Sequence, residues 1–388
     1  MSQPIPSFCD LAVPGVRELM PYQPGKPMAE LEREYGISDI VKLASNENPL
    51  GASPLAVAAA QRELGQICRY PDGNGFDLKQ ALAAHHGLEP ERITLGNGSN
   101  DCLDLIARAF LGPGREALFS AHAFAVYPIA TLAVGASSVV APALGPEHEM
   151  AYGHDLEAMA QRIGPDTAVI FIANPNNPTG TWLKQAQLEA FLARVPPRVI
   201  VVLDEAYVEY ARDADGYPDG SRWLERMPNL IVTRTFSKAY GLAGLRVGYA
   251  LSHPQVADLL NRVRQPFNVN SPAQAAAVAG LEDQAFIEAA VALNATERGR
   301  MAAACAGLGL AVLPSAANFI CVEVGPRAAE IYEGLLRRGV IVRPVGGGYQ
   351  LPRHLRISIG LTKENDRCLG ALTELKALDL LAAGGARP

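Results

Sequence analysis

Three continuous β-favouring runs lie in the middle of the chain: Ala168-Val169-Ile170-Phe171-Ile172-Ala173, Val199-Ile200-Val201-Val202-Leu203 and Leu230-Ile231-Val232-Thr233-Arg234-Thr235, the first two apolar throughout. Their β-favouring composition and lack of polar alternation predict strands covered on both faces. Ile93-Thr94-Leu95 is a shorter fourth strand, leading into a glycine-rich turn and the helical pattern of Cys102 to Leu111. Between the first two runs, Thr181 to Val195 holds good helix formers after a Pro/Gly turn. Strand, helix, strand in repetition predicts an α/β fold whose largely parallel sheet has right-handed crossovers, with ligands bound beyond the carboxyl ends of the strands. Ser271 to Met301 is alanine-rich and predicts a long helix, with Ser271-Pro272 in cap and first-turn positions. Ile341-Val342-Arg343 and Leu355 to Ile359 then read as strands of a smaller α+β domain. The first 45 or so residues are punctuated by proline and glycine, as in an arm laid over other elements. The predicted organisation is an arm over 1–45, a large domain over 46–270 and a small domain over 271–388.

Composition narrows the field. Over 388 residues, 34 Lys+Arg face 40 Asp+Glu, a net charge of −6 with no basic block, which argues against nucleic acid and anionic lipid as partners. A hydrophobic fraction of 49% with 19% charged residues describes a packed globular chain. Cys9, Cys68, Cys102, Cys305, Cys321 and Cys368 are dispersed, without a C-x-x-C pair, and read as small core residues in a reducing compartment. Only His85 and His86 adjoin and no H-E-x-x-H is present, so no metal centre is expected. The N-terminal segment lacks the pattern of a signal peptide. The weakly polar stretch from Ala130 to Gly145 contains Ser137 and Ser138 and falls short of the ~18 apolar residues of a membrane span. A cytoplasmic location is the expectation.

The chemistry sits where the strands end. The runs close on Asn174-Pro175-Asn176-Asn177-Pro178-Thr179-Gly180, on Asp204-Glu205-Ala206-Tyr207 and on Thr235-Phe236-Ser237-Lys238, and the short upstream strand on Gly96-Asn97-Gly98-Ser99-Asn100-Asp101. Four strand ends thus bring amide, carboxylate, phenol, hydroxyl and ammonium groups to one rim. The glycine-rich turn offers free N–H groups and a positive dipole end, suited to a phosphate; a plain helix cap at Ser99 or Asn100 accounts for it equally. Lys238 is placed for imine chemistry, with Arg246 near in sequence to lower its pKa, or is a snorkelling surface lysine. Asp204 ends a buried strand, where a cation has to compensate it: a pyridinium N–H, or a salt bridge. Tyr207 and Asn174 are candidate donors to a phenolate oxygen, or a core tyrosine and a turn starter.

Read in order, the asparagine-proline motif, Asp204-Glu205-Ala206-Tyr207 and Ser237-Lys238-Ala239-Tyr240-Gly241-Leu242-Ala243-Gly244-Leu245-Arg246 resemble the fold-type I aminotransferases that use pyridoxal 5′-phosphate (PLP). Ala44-Ser45-Asn46-Glu47-Asn48-Pro49-Leu50-Gly51, Arg69-Tyr70-Pro71-Asp72-Gly73 and the Leu355-Arg356-Ile357-Ser358 strand are similar to the histidinol-phosphate branch of that family. The resemblance implies a large domain on a mostly parallel sheet with a smaller α+β domain. It implies that Lys238 joins the cofactor aldehyde, that Asp204 pairs with the pyridine nitrogen and that Asn174 with Tyr207 holds the ring oxygen. Ser99, Asn100, Thr235, Ser237 and Arg246 would grip the phosphate, and Phe124 would stack on the ring where many relatives have tyrosine. Tyr70 would reach the neighbouring subunit's cofactor in a homodimer. Arg343 and Arg356 are candidates for substrate anions, and Tyr22 and Asn48 for the pocket wall. The implied substrates are a small-molecule amino donor, histidinol phosphate with glutamate, and a 2-oxo acid. An aromatic aminotransferase or a threonine-phosphate decarboxylase would keep the same Lys and Asp pair.

Overall fold

The computed structural model describes residues 7–21, 25–378 and 380. Its centre is a seven-stranded sheet in the spatial order 93–96, 248–251, 230–235, 200–204, 167–173, 116–120, 137–141. Gly248–Leu251 runs antiparallel to both neighbours, and the other pairings between adjacent strands are parallel. The apolar runs are continuous because each face of the sheet feeds a separate core. Ile170, Ile172, Val201, Leu203 and Val232 point to one core, while Val169, Phe171, Ala173, Val202 and Ile231 point to the other. Helices 54–63, 76–86, 185–192 and 271–282 cover the first face, and 99–110, 126–133 and 254–263 the second. Ala173 pairs with Asp204 and Asp204 with Thr233, so three neighbouring strands end at one rim.

The smaller unit is a four-stranded antiparallel sheet in the order 343–344, 354–358, 319–323, 311–312, backed by helices 328–336 and 362–377. Residues 28–44 are no loose arm: Val41–Lys42 pairs in parallel with Val340–Ile341, and Leu31 and Ala44 pack on Leu336 and Ile341. The helical stretch after 270 is two helices, Ser271–Glu282 and Gln284–Gly307, broken at Asp283. Asp283 accepts from Phe286 N at 3.2 Å and from Ser53 Oγ at 2.5 Å, which redirects the chain while binding it to the large unit. Ala273, Ala276, Ala277, Leu281, Ile287 and Val291 lie in the large core, and Met301 and Cys305 in the small one. Along the Gln284–Gly307 helix the packing thus passes from the large core at Val291 to the small one at Met301. No helix among the described residues is long and apolar enough to cross a membrane.

Candidate active site

A cavity of about 600 Å³ opens where the strand ends face the small sheet. The Ser99–Phe110 helix starts at its floor without a side-chain cap, so the plain cap at Ser99 or Asn100 is not formed; Gly98, at φ 81°, takes that position. A Cβ at Gly98 would stand 2.4 Å from Arg246 Nη2, and one at Gly248 would stand 2.5 Å from Ser99 N. Two glycines thus allow a guanidinium and a helix N-terminus to converge. Arg246 Nη1 donates to Ala243 O at 3.1 Å and reaches Ser237 Oγ at 3.4 Å, while Thr235 Oγ1 donates to Ser237 Oγ at 3.0 Å. Helix dipole, guanidinium and two hydroxyls form a cradle for a phosphate-sized anion.

Asp204 stands on the next strand end. Tyr127 Oη donates to its Oδ2 and Thr233 Oγ1 to its Oδ1, each at 3.0 Å. Burial nevertheless pushes its carboxyl up to about 6, because the two hydrogen bonds offset only part of the desolvation. A buried carboxylate left short of a cation is the complement of a protonated ring nitrogen. Phe124 lines the same cavity and packs edge-on against Tyr127, with centroids 5.8 Å apart.

Lys238 Nζ donates to Ser45 O at 3.2 Å and lies 5.8 Å over the Tyr207 ring. Burial first, then the Arg356 and Arg246 guanidinium groups, bring its ammonium down to about 8, with Glu47 opposing them. Tyr207 accepts from Asn46 Nδ2 at 3.0 Å, and burial pushes its phenol up to about 12. A prediction follows for the cofactor-free protein. Only the free amine attacks an aldehyde, so the rate of PLP capture rises about tenfold per pH unit up to about pH 8 and levels above it. Stopped-flow absorbance checks this; a flat profile between pH 6 and 8 would contradict a titrating lysine.

Three of the expected site residues do not line the cavity of their own chain. Asn174 does not face the cavity: Leu183 N donates to its Oδ1 at 2.8 Å and its Nδ2 reaches Leu183 O at 3.4 Å, so both ends of the amide hold the following loop. Asn177 is the asparagine that lines the cavity, and its Oδ1 accepts from Arg356 Nη1 at 2.5 Å. Asn48 is likewise occupied, donating to Ala239 O at 2.8 Å and accepting from Leu50 N at 3.0 Å; it ties a turn to the backbone beside Lys238 and lines no pocket wall. Tyr70 is 81% exposed, stacked on Phe267, and contributes nothing to its own chain's cavity. Tyr22 lies outside the described residues.

Arg356 and Arg343 both line the cavity from the small domain. Arg356 is buried, donates from Nη2 to Ala44 O at 2.7 Å, and its Nε has no hydrogen-bond partner. A guanidinium lining a cavity suits an incoming anion. Tyr127, Thr233, Asn46 and Asn177 are the functional positions that motif reading did not single out. Asn46 and Asn177 lay inside motifs already noted, whereas Tyr127 sits in an apolar helix with nothing to set it apart from core.

This geometry defines an enzyme that holds a phosphorylated aldehyde against a lysine. The model of the aminotransferase class I and II family matches residues 38–372, and the chain belongs to that family. It is 58% identical over 374 residues to histidinol-phosphate aminotransferase 2 of Pseudomonas aeruginosa, covering 96% of this chain and 99% of the relative. It is 57% identical over 366 residues to the protein of the same name from Methylococcus capsulatus, covering 94% and 98%. Among solved structures, histidinol-phosphate aminotransferase from Sinorhizobium meliloti in complex with pyridoxal-5′-phosphate matches with a TM-score of 0.85 at 32% identity, over 95% of this chain and 98% of that one.

Proposed function

We propose that this aminotransferase exchanges the amino group between L-histidinol phosphate and 2-oxoglutarate, giving imidazole acetol phosphate and L-glutamate, with PLP in the cavity. The observation that carries the substrate reading is the buried guanidinium of Arg356, partnered by Arg343 and facing Lys238, together with relatives of that name at 57% and 58% identity. A guanidinium fork accepts a phosphate monoester and a carboxylate alike, so one grip serves both amino donors.

When bound, PLP supplies an aldehyde for amines and an electron-poor ring. In this reading the residues around it divide the work. Ser99, Asn100, Thr235, Ser237 and Arg246 hold the phosphate, and Phe124 stacks on the ring. Asp204 stays ionised against the ring N–H. Tyr207 and Asn177 hold the ring oxygen, Asn177 replacing Asn174 in that role. Lys238 would supply the amine that joins the aldehyde and, when free, would take the proton from the substrate carbon bearing the amino group and return it.

The active form we propose is a homodimer in which Tyr70 reaches the partner subunit's cofactor phosphate. Leu50, Leu55, Leu64, Ile67 and Phe76, all exposed and near Tyr70 in the sequence, support such a contact. All six cysteines are free, which supports a reducing, cytoplasmic setting.

Single-turnover absorbance with L-histidinol phosphate, phenylalanine and O-phosphothreonine tests the substrate. The expected kcat/KM for histidinol phosphate exceeds that for phenylalanine by about 100-fold, the ~1–3 kcal/mol scale of a well-made polar contact. R356K, which loses the planar fork, is expected to lower it about 10- to 100-fold. The reverse preference, for phenylalanine, sinks the reading in favour of an aromatic enzyme, and carbon dioxide release from phosphothreonine in favour of a decarboxylase.

A further inference from the structure

Asn46 lines the cavity wall. It is 1% exposed and holds φ at 55°, a left-handed conformation that asparagine tolerates better than most residues. Four hydrogen bonds keep it there. Its backbone N–H donates to Ser358 Oγ at 2.8 Å and its carbonyl accepts from Asn318 Nδ2 at 3.0 Å. Its Oδ1 accepts from Ser358 Oγ at 2.8 Å, and its Nδ2 donates to Tyr207 Oη at 3.0 Å.

The direction of these bonds matters. Ser358 carries one hydroxyl hydrogen, and its oxygen already accepts from the Asn46 backbone. Its hydrogen is therefore available to Asn46 Oδ1, which leaves the amide with its NH2 turned to Tyr207. Tyr207 then receives a hydrogen on that side. Its own single hydrogen has to be given elsewhere, and the ring borders the cavity beside Asp204 and Lys238. Ser358 also stands two residues from Arg356 on the His354–Ser358 strand, so both side chains leave the strand on the same face.

We infer that Asn46 is a positioning residue: it holds Tyr207 as an obligate donor to the ring oxygen of bound PLP, and through Ser358 it ties that donor to the strand carrying Arg356. The inference rests on the reading of the cavity as the PLP site and is independent of which amine is the natural donor. A donor to the ring oxygen stabilises its anionic form and weakens its hold on the proton of the adjacent cofactor–lysine nitrogen. The protonation midpoint of the bound chromophore is thereby kept low.

The test is a titration of the visible absorbance of the holoenzyme from pH 5 to 10 in wild type, N46G, N46D, Y207F, S358A and the N46G/Y207F double variant. Glycine accepts the left-handed backbone without strain, so N46G deletes only the side chain. Aspartate keeps the shape but, ionised, only accepts, and draws the Tyr207 hydrogen away from the cavity. Y207F is expected to raise the midpoint by about one pH unit, N46D by about as much, N46G by at least about half of it and S358A by less. The double variant moves no further than Y207F alone, and the PLP dissociation constant from equilibrium dialysis follows the same order. A midpoint unmoved in N46G and N46D while Y207F shifts, or additive shifts in the double variant, overturns the inference. An S358A midpoint equal to wild type overturns the tie to the Arg356 strand. Should N46G fail to fold, N46D and S358A carry the same decision. A wild-type chain that takes up no PLP fails the reading of the site itself, before any variant is compared.

Discussion

Lys238→Ala is expected to take up PLP without the visible band of a lysine-linked aldehyde and to lose at least ~10⁴-fold in kcat, because one group serves as both nucleophile and proton carrier. PLP still docks through its phosphate, since the helix start at Ser99, the Ser237 hydroxyl and Arg246 are untouched. The cofactor-free variant is expected to be no less stable than wild type. The amine it removes is buried and holds only a 3.2 Å bond to Ser45 O, with two guanidinium groups lowering its pKa. Absorbance, single-turnover transfer and thermal melting of one preparation check the three statements together; full transamination by the variant would refute every role assigned at the strand ends.

Asp204→Asn is expected to cost about 10³-fold in kcat, the scale of removing a fixed charge aimed at charge developing in the reaction. A neutral amide leaves the ring nitrogen unprotonated and the electron pair from the substrate Cα without a sink. The pH behaviour separates this from simple misfolding. In the empty cavity the Asp204 carboxyl titrates at about 6, above its ordinary value, owing to burial. The folded state therefore holds a proton that the unfolded chain releases, and stability is penalised as pH rises through 6. The cofactor-free Asn variant should melt higher than wild type at pH 7, with the gap shrinking as pH falls toward 4. PLP affinity of wild type, which needs the ionised carboxylate, should weaken below pH 6 while that of the variant stays flat. A melting gap that does not narrow on acidification would contradict the buried-charge account.

Much of the large domain is legible in the chain because its central strands are short, rich in β-branched residues and bounded by turn signals, and the polar groups that end them stand out. Asp204, Lys238 and the Thr235-Phe236-Ser237 turn are found that way. What fails is the choice among neighbours. Asn174, Asn176 and Asn177 share one turn, and nothing local tells that Asn174 reaches nine residues on to Leu183 while Asn177 faces Arg356, 179 residues away. Asn48 misleads for the same reason, its amide being claimed by Ala239 O across 191 residues. Asn46 is one residue of a longer motif, and its role emerges from partners at 207, 318 and 358 that no spacing rule connects. The pairing of Val41–Lys42 with Val340–Ile341 is two residues long, too short for any periodicity to register. The alanines of Ser271–Glu282 give no strong stripe to say what they pack on, yet those small side chains permit close packing on the helix at 54–63.

The small domain joins segments far apart in the chain, with Val41 and Leu43 sharing a core with Leu355, Leu372 and Leu375. The large domain is, topologically, an insertion within it. During synthesis the early strand must wait, unpaired, until some three hundred further residues have left the ribosome. Shortening the protein from its carboxyl end by the last helix would strand the residues that begin it.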